Sequence, residues 1–195
     1  MRVGILALQG AFIEHARAIR ELGCEAVEIR KPGRLDECRA LIIPGGESTT
    51  IGKLMKEYGL LDPVREKGEA GWPIFGTCAG MVLLAKEIED AQEIDGVPQP
   101  RLGLMNITVR RNAFGRQVDS FETDLRVAAL GPEPVRAVFI RAPYVTAVGP
   151  GTEVLASFDG KIVLVRQGRL LAAAFHPELT PDRRLHRYFL DLAAS

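Results

Sequence analysis

One cysteine of this chain lies in a context suited to nucleophilic chemistry. Cys78 sits in Gly76-Thr77-Cys78-Ala79-Gly80, with glycines two residues before it and two after. The apolar run Pro73-Ile74-Phe75 leads in, and Met81-Val82-Leu83-Leu84 leads out. A strand-to-helix elbow of this G-x-C-x-G kind needs small residues, because its sharp turn brings backbone segments close together. The elbow lifts the sulfur out of the sheet and sets it at a helix N-terminus, where the partial positive charge favours an anion. The plainer reading of a lone cysteine is a small buried apolar residue. Cys24 and Cys38, which lack such turns, are read that way.

A thiol nucleophile needs a base, and the base needs an orienting group. There are three histidines. His15 and His186 fall within predicted helices beside charged residues and read as solvated. His176 differs: it ends an apolar run over 170–175 and is followed by Pro177-Glu178. Residues two apart in an extended chain face the same side. Glu178 is thus placed to hold the His176 imidazole while that ring takes the thiol proton. Acyl transfer also needs N–H donors aimed at an oxyanion. Ala79, just after the nucleophile, supplies one, and the Gly45-Gly46 turn supplies the other through Gly46. A phosphate loop at 46–53 fails, since five residues separate Gly46 from Gly52 and Leu54 replaces the required hydroxyl residue. No G-x-G-x-x-G follows a strand, and no C-x-x-C or H-x-x-H pattern suggests zinc. No metal or organic cofactor is expected.

Positioning these groups takes a sheet. Apolar runs at 3–8, 26–29, 40–43 and 73–76 read as strands covered on both faces. Helices are predicted between them, at 11–22, from a Ser48 or Thr49 cap to Tyr58, at 61–69 and at 79–87. Strand-helix alternation implies a parallel sheet with helices on both faces. From about residue 100 the pattern becomes short strands, at 102–109, 125–127, 137–140, 154–158, 161–166 and 170–175. Asp159-Gly160 and Gln167-Gly168 read as hairpin turns. A last helix is expected from a Thr180 cap with Pro181 in its first position. The fold class is therefore α/β: a three-layer, flavodoxin-like, mostly parallel sheet with additional antiparallel strands in the C-terminal half. In such sheets ligands bind beyond the carboxyl ends of the strands, where Gln9-Gly10, the 45–48 turn and the Cys78 elbow all lie.

The chain is 195 residues, which fits a single domain over 1–195. Its 47% hydrophobic and 26% charged residues are ordinary for a globular protein with one core. Lys plus Arg and Asp plus Glu are 25 each, so no broad surface for nucleic acid or anionic membrane is expected. No apolar run approaches the ~20 residues that span a bilayer. The start reads as a first buried strand and not a signal peptide. Three cysteines at irregular spacing fit a reducing cytoplasm better than a disulfide scaffold.

Together these residues resemble the class I, or triad, glutamine amidotransferase domains. Pro44-Gly45-Gly46, the Cys78 elbow and His176-Pro177-Glu178 carry that resemblance. Leu8-Gln9-Gly10, Gly46-Glu47-Ser48-Thr49-Thr50, the block 111–122, Phe139-Ile140-Arg141-Ala142-Pro143 and His176-Pro177-Glu178-Leu179-Thr180 narrow it. They resemble the branch that serves as glutaminase subunit of pyridoxal 5′-phosphate synthase. The resemblance implies hydrolysis of L-glutamine to glutamate and ammonia, which passes to a barrel-shaped synthase partner. It implies Cys78 as nucleophile, His176 as base then acid, and Glu178 as orienting group. It assigns glutamine binding to Gly46, Glu47, Ser48, Arg111, Ile140 and Arg141. Either Arg111 or Arg141 can pair with the substrate carboxylate through two parallel bonds. On that reading pyridoxal phosphate is the product of the complex, not a cofactor of this chain.

Three rival readings exist. Another triad glutaminase would lack the 111–122 block. A different cysteine hydrolase would not need Gly-Gly-Glu-Ser or His-Pro-Glu. A flavodoxin-like thiol sensor would show a reactive Cys78 without turnover.

Overall fold

The computed structural model describes residues 1–91, 93–94, 96–111 and 120–195. The N-terminal half runs β1 (Arg2–Leu6), α1 (Phe12–Glu21), β2 (Glu25–Ile29), β3 (Ala40–Ile43), α2 (Ser48–Glu57), α3 (Leu61–Glu69), β4 (Ile74–Thr77) and α4 (Ala79–Leu84). Then come β5 (Ala85–Ile88), the short pair β6 (Glu93–Ile94) and β7 (Val97–Pro98), and β8 (Met105–Arg110). The rest comprises β9 (Ser120–Leu125), β10 (Val135–Ile140), β11 (Tyr144–Val148), β12 (Thr152–Phe158), β13 (Lys161–Gln167), β14 (Leu170–Ala173) and α5 (Arg184–Ala194).

Among the described residues the main sheet has the order β2-β1-β3-β4-β14-β13-β11-β8-β5, with β12 paired to β13. From β2 to β14 every pairing is parallel. β13 then turns antiparallel to β14 and the sheet continues in mixed sense. β9 and β10 form a separate antiparallel ribbon. Burial follows this division. Every residue of β3, β4 and β14 is buried, as helices on both faces require. β8 and β10 instead alternate buried and less buried positions, as sheets with one wetter face do. α1 and α5 meet through His15 and His186, while α2 packs on α3 and α4. The result is the α/β architecture expected, with the extra antiparallel strands. No helix among the described residues is long and apolar enough to cross a membrane.

Several local expectations change. The helix predicted over 79–87 ends at Leu84, and Ala85–Ile88 becomes β5, parallel to β8. A short fully apolar run carries no period that separates helix from buried strand. The cap of α2 is Glu47, not Ser48 or Thr49. Its carboxylate accepts from the Thr49 N–H at 3.0 Å and the Thr50 N–H at 2.7 Å. α5 starts at Arg184, not Pro181. There the Asp182 carboxylate accepts the Arg184 N–H at 3.0 Å, while Thr180 Oγ1 donates back to the Pro177 carbonyl. Of the strand expected at 125–127 only Leu125 is in a strand, as the last residue of β9, and 126–127 lie outside it; β11 has no counterpart in the sequence reading. The Asp159-Gly160 turn holds: both residues have positive φ, 48° and 71°, joining β12 to β13.

Glycine is required where backbones nearly touch. A Cβ on Gly80 would collide with the Ile43 carbonyl, and one on Gly76 would collide with the Gly80 backbone. We expect Gly80→Ala to lower stability by about 1–3 kcal/mol, since neither backbone can swing aside. Gly33→Ala, where a Cβ meets nothing within 4 Å, is expected to stay within about 0.5 kcal/mol of the parent. Urea denaturation midpoints of the two variants test the contrast.

Candidate active site

A cleft opens at the carboxyl ends of the parallel strands. Cys78 enters it from the turn between β4 and α4, with φ 48° and ψ −101°. A non-glycine residue at positive φ is strained and persists only where its surroundings hold it. Here the Cys78 N–H donates to the Ala173 carbonyl on β14 at 2.8 Å. The thiol points at the Ile140 carbonyl, 3.9 Å away, at the end of β10. Gly45 packs on the other side, where a Cβ would collide with the His176 ring.

His176 follows β14 and opens a single 3-10 turn, Pro177–Leu179. Its own N–H donates to the Val138 carbonyl at 2.8 Å, tying it to β10. Its Nδ1 and Glu178 Oε1 lie 2.7 Å apart. The Glu178 side chain is wholly buried, so this is a shielded ion pair when the ring is protonated. Burial by itself pushes the His176 ring down. The contacts with Cys78 and Glu178 outweigh that and hold it up to about 10. Burial also pushes the Glu178 carboxyl up, but His15 and His176 outweigh this and hold it below its usual value.

Gly46, Glu47, Ser48, Cys78, Ala79, Arg111, Ile140, Arg141 and His176 all line the same cleft, and Glu178 stands behind His176. The structure thus brings together the residues singled out in sequence. The Glu47 carboxylate caps α2 and accepts the Thr50 hydroxyl. Arg111 is held by the Asp90 carbonyl at 3.2 Å and the Thr49 hydroxyl at 3.4 Å. Arg141 is exposed, with φ 42°. Residues 112–119 of the 111–122 block lie outside the described residues. Gln9, Val82 and Pro143 complete the lining. The Gln9 side chain accepts the Glu47 N–H at 2.9 Å and so ties the β1–α1 turn to the β3–α2 turn. Its place in Leu8-Gln9-Gly10 hinted at this; Val82 gave no signal beyond helix apolarity.

Two sequence readings are overturned. His15 and His186 are not on solvated faces: both are fully buried. His15 Nδ1 and His186 Nε2 are 2.9 Å apart, between α1 and α5. Their charged sequence neighbours occupy the outer helix face, while the histidines turn inward. Among the described residues no group of three or more His, Cys, Asp or Glu side chains is arranged to hold a metal ion.

Sheet and cleft define an α/β protein of the cysteine-elbow class, with a histidine–carboxylate pair behind the thiol. Comparison with known proteins narrows the class. The profile of the SNO glutamine amidotransferase family matches residues 5–194. The chain is 71% identical over 191 residues to a protein of Desulforudis audaxviator named "Pyridoxal 5′-phosphate synthase subunit PdxT", covering 98% of both chains. A protein of the same name from Pelotomaculum thermopropionicum is 62% identical, covering 98% of this chain and 94% of that one. A crystal structure described as a glutamine amidotransferase superposes with a TM-score of 0.91 at 57% identity, covering 99% of each chain. This chain belongs to the SNO glutamine amidotransferase family.

The ion pair makes a prediction about pH. His176 sits above its usual value of about 6.5, so its contribution is full below that pH and is lost as pH rises through about 10. Glu178 is depressed, so its contribution is present above about 4.3 and fades as pH falls through its lower folded value. Parent and Glu178→Gln should therefore differ most in stability between about pH 4.3 and 6.5, and progressively less toward pH 10. In the variant the His176 titration, followed by NMR, should move downward.

Proposed function

We propose that the chain hydrolyses L-glutamine to L-glutamate and ammonia, using Cys78, His176 and Glu178 and a thioester intermediate. The ammonia passes to a barrel-shaped synthase partner that makes pyridoxal 5′-phosphate. The observation that carries this reading is the meeting of the Cys78 elbow with the His176–Glu178 pair in one cleft. Family membership and the names of the relatives support the substrate and the partner.

The steps balance with the chain's own groups. Cys78 Sγ attacks the side-chain amide carbon, and its proton goes to His176. The C–N bond then breaks as His176 returns that proton to the departing nitrogen, leaving ammonia and an acyl-cysteine. Water adds with its proton passing to His176, and the C–S bond breaks to give glutamate and the thiol. Glu178 stabilises the ring while it is protonated. The amides of Gly46 and Ala79 are assigned to the oxyanion. Gly46, Glu47, Ser48 and Ile140 flank the substrate, and Arg111 or Arg141 takes its carboxylate.

The Gly45–Gly46 peptide is a point of control. The Gly45 carbonyl accepts the Ala11 N–H at 3.1 Å, so turning this peptide plane breaks that bond. A partner that repays the lost bond can set whether the Gly46 N–H faces the oxyanion.

Cys78→Ala should abolish glutamine hydrolysis, while Cys24→Ala and Cys38→Ala keep it. An electrophilic glutamine analogue should add to Cys78 alone, read by mass mapping; turnover by the Cys78 variant would overturn the assignment. Glu178→Gln should cost less than His176→Ala, and the double variant should be little worse than His176→Ala. One oxyanion donor is worth about 3 kcal/mol, so adding the synthase should raise kcat about a hundredfold at saturating glutamine. Equal kcat values with and without the synthase would remove the control step.

A further inference from the structure

Behind the cleft lies a second pair of titratable groups that the proposed reaction does not use. His15 and His186 are fully buried, on different helices, and joined at 2.9 Å. The other nitrogen of His15, Nε2, is 3.0 Å from its hydrogen-bond partner Thr77 Oγ1 and 3.4 Å from Glu178 Oε2, a buried oxygen with no hydrogen-bond partner of its own among the described residues. Glu178 Oε1 meets His176, so the two carboxylate oxygens face two different imidazoles. The far nitrogen of His186, Nδ1, has no hydrogen-bond partner among the described residues.

These contacts select one tautomer chain. If His15 carried its proton on Nδ1, its bare Nε2 would face the Glu178 carboxylate lone pair to lone pair. His186 would then have to accept at Nε2 and leave an N–H buried and unpaired at Nδ1, which is the costly kind of orphan. With the proton on His15 Nε2, that N–H points toward Thr77 and Glu178. His186 Nε2–H donates to His15 Nδ1, and only a bare acceptor nitrogen remains unpaired. Every donor in the chain then runs toward the carboxylate.

We propose that His15, with its tautomer set by His186, is a positioning residue for the reaction, fixing the Oε2 edge of Glu178 so that Oε1 holds His176 toward Cys78. The inference rests on the glutaminase reading for its kinetic consequences, but not for its geometry. The groups around His15 are Thr77 on β4, Glu178 and His176 after β14, His186 and Arg183 at the start of α5, and Glu14 on its own helix. Burial pushes His15 down despite Glu178, and burial pushes His186 well down. His15 therefore presents a neutral Nε2–H that bonds Thr77 Oγ1 and stands 3.4 Å from the otherwise unpartnered Oε2 edge of Glu178.

The test combines the intact protein with two variants, assayed in complex with the synthase. Nitrogen-15 NMR of the parent should show His15 protonated at Nε2 and bare at Nδ1. His15→Leu should lower kcat about tenfold or more, as loss of an outer partner does, with KM within about twofold. It should also lower the His176 titration midpoint. His15→Gln, whose amide N–H reaches the Nε2 position, should recover most of both. A purely structural role would lower Tm without moving the midpoint or gaining from Gln over Leu. Alkylation of Cys78 by iodoacetamide against pH reads the same geometry without glutamine. If the parent complex does not hydrolyse glutamine, the functional reading fails while the alkylation profile still judges His15. An Nδ1–H tautomer in the parent overturns the inference, even if His15→Leu does not fold. A folded His15→Leu with parental kcat and His176 titration overturns it equally.

Discussion

A carboxylate buried at the end of a sheet is the constraint around which this molecule is arranged. Glu178 has no solvent to share its charge, and an unpaired buried charge is among the most costly features a fold can carry. The groups around it come from near and far in the chain. His176 lies two residues before it, His15 on α1, and Thr77 beside His15 at the end of β4. α5 adds His186 behind His15. Packing α1 and α5 together near β4 and β14 is thus also what sets His15 beside the Oε2 edge of that charge. The aromatic rings of Phe75 and Phe189 seal the other side of this packing, with centroids 5.5 Å apart.

The cleft itself depends on backbone approach. Three loops converge where β1, β3 and β4 end, and each uses glycine where a side chain would collide. Gly10 lies against the Gly45 carbonyl, Gly45 against the His176 ring, and Gly80 against the Ile43 carbonyl. Close approach lets short groups do the bridging, such as Gln9 to the Glu47 N–H and Ala11 to the Gly45 carbonyl. The antiparallel half then closes the site. β10 supplies the carbonyls that receive the Cys78 thiol and the His176 N–H, and Arg141 follows it at positive φ. Phe139 on β10 sits between the ring of Phe121 at 4.7 Å and that of Phe175 at 5.6 Å, fixing this ribbon against the strand that leads to His176.

Much of this was legible in the amino-acid order, and the reason is locality. The elbow glycines, the His-Pro-Glu run, the apolar strands and the Asp159-Gly160 turn each act within a few residues. Their chemistry and spacing therefore state what they do wherever the chain places them. The turns at Gln9-Gly10, 45–48 and 76–80 were legible for the same reason, because in a parallel sheet the carboxyl ends of successive strands lie together, whereas Arg111, Ile140 and Arg141 came from the family resemblance alone. What sequence could not separate was short apolar stretches with no period, hence the strand at 85–88 inside a predicted helix.

Tertiary structure decided everything that depends on partners far away in sequence. His15 and His186 are 171 positions apart, and nothing local distinguishes a buried histidine on a charged helix from a solvated one. Only the crossing of α1 and α5 brings their rings together and turns them inward. Glu47 lines the cleft, and its carboxylate is taken by two N–H groups once α2 begins there, a use that no local pattern announces. The sequence by itself determined which groups can do the chemistry and which turns present them. The fold decided which ionisable groups lose their water and must find each other instead, because burial is a property of the packed whole and not of any segment.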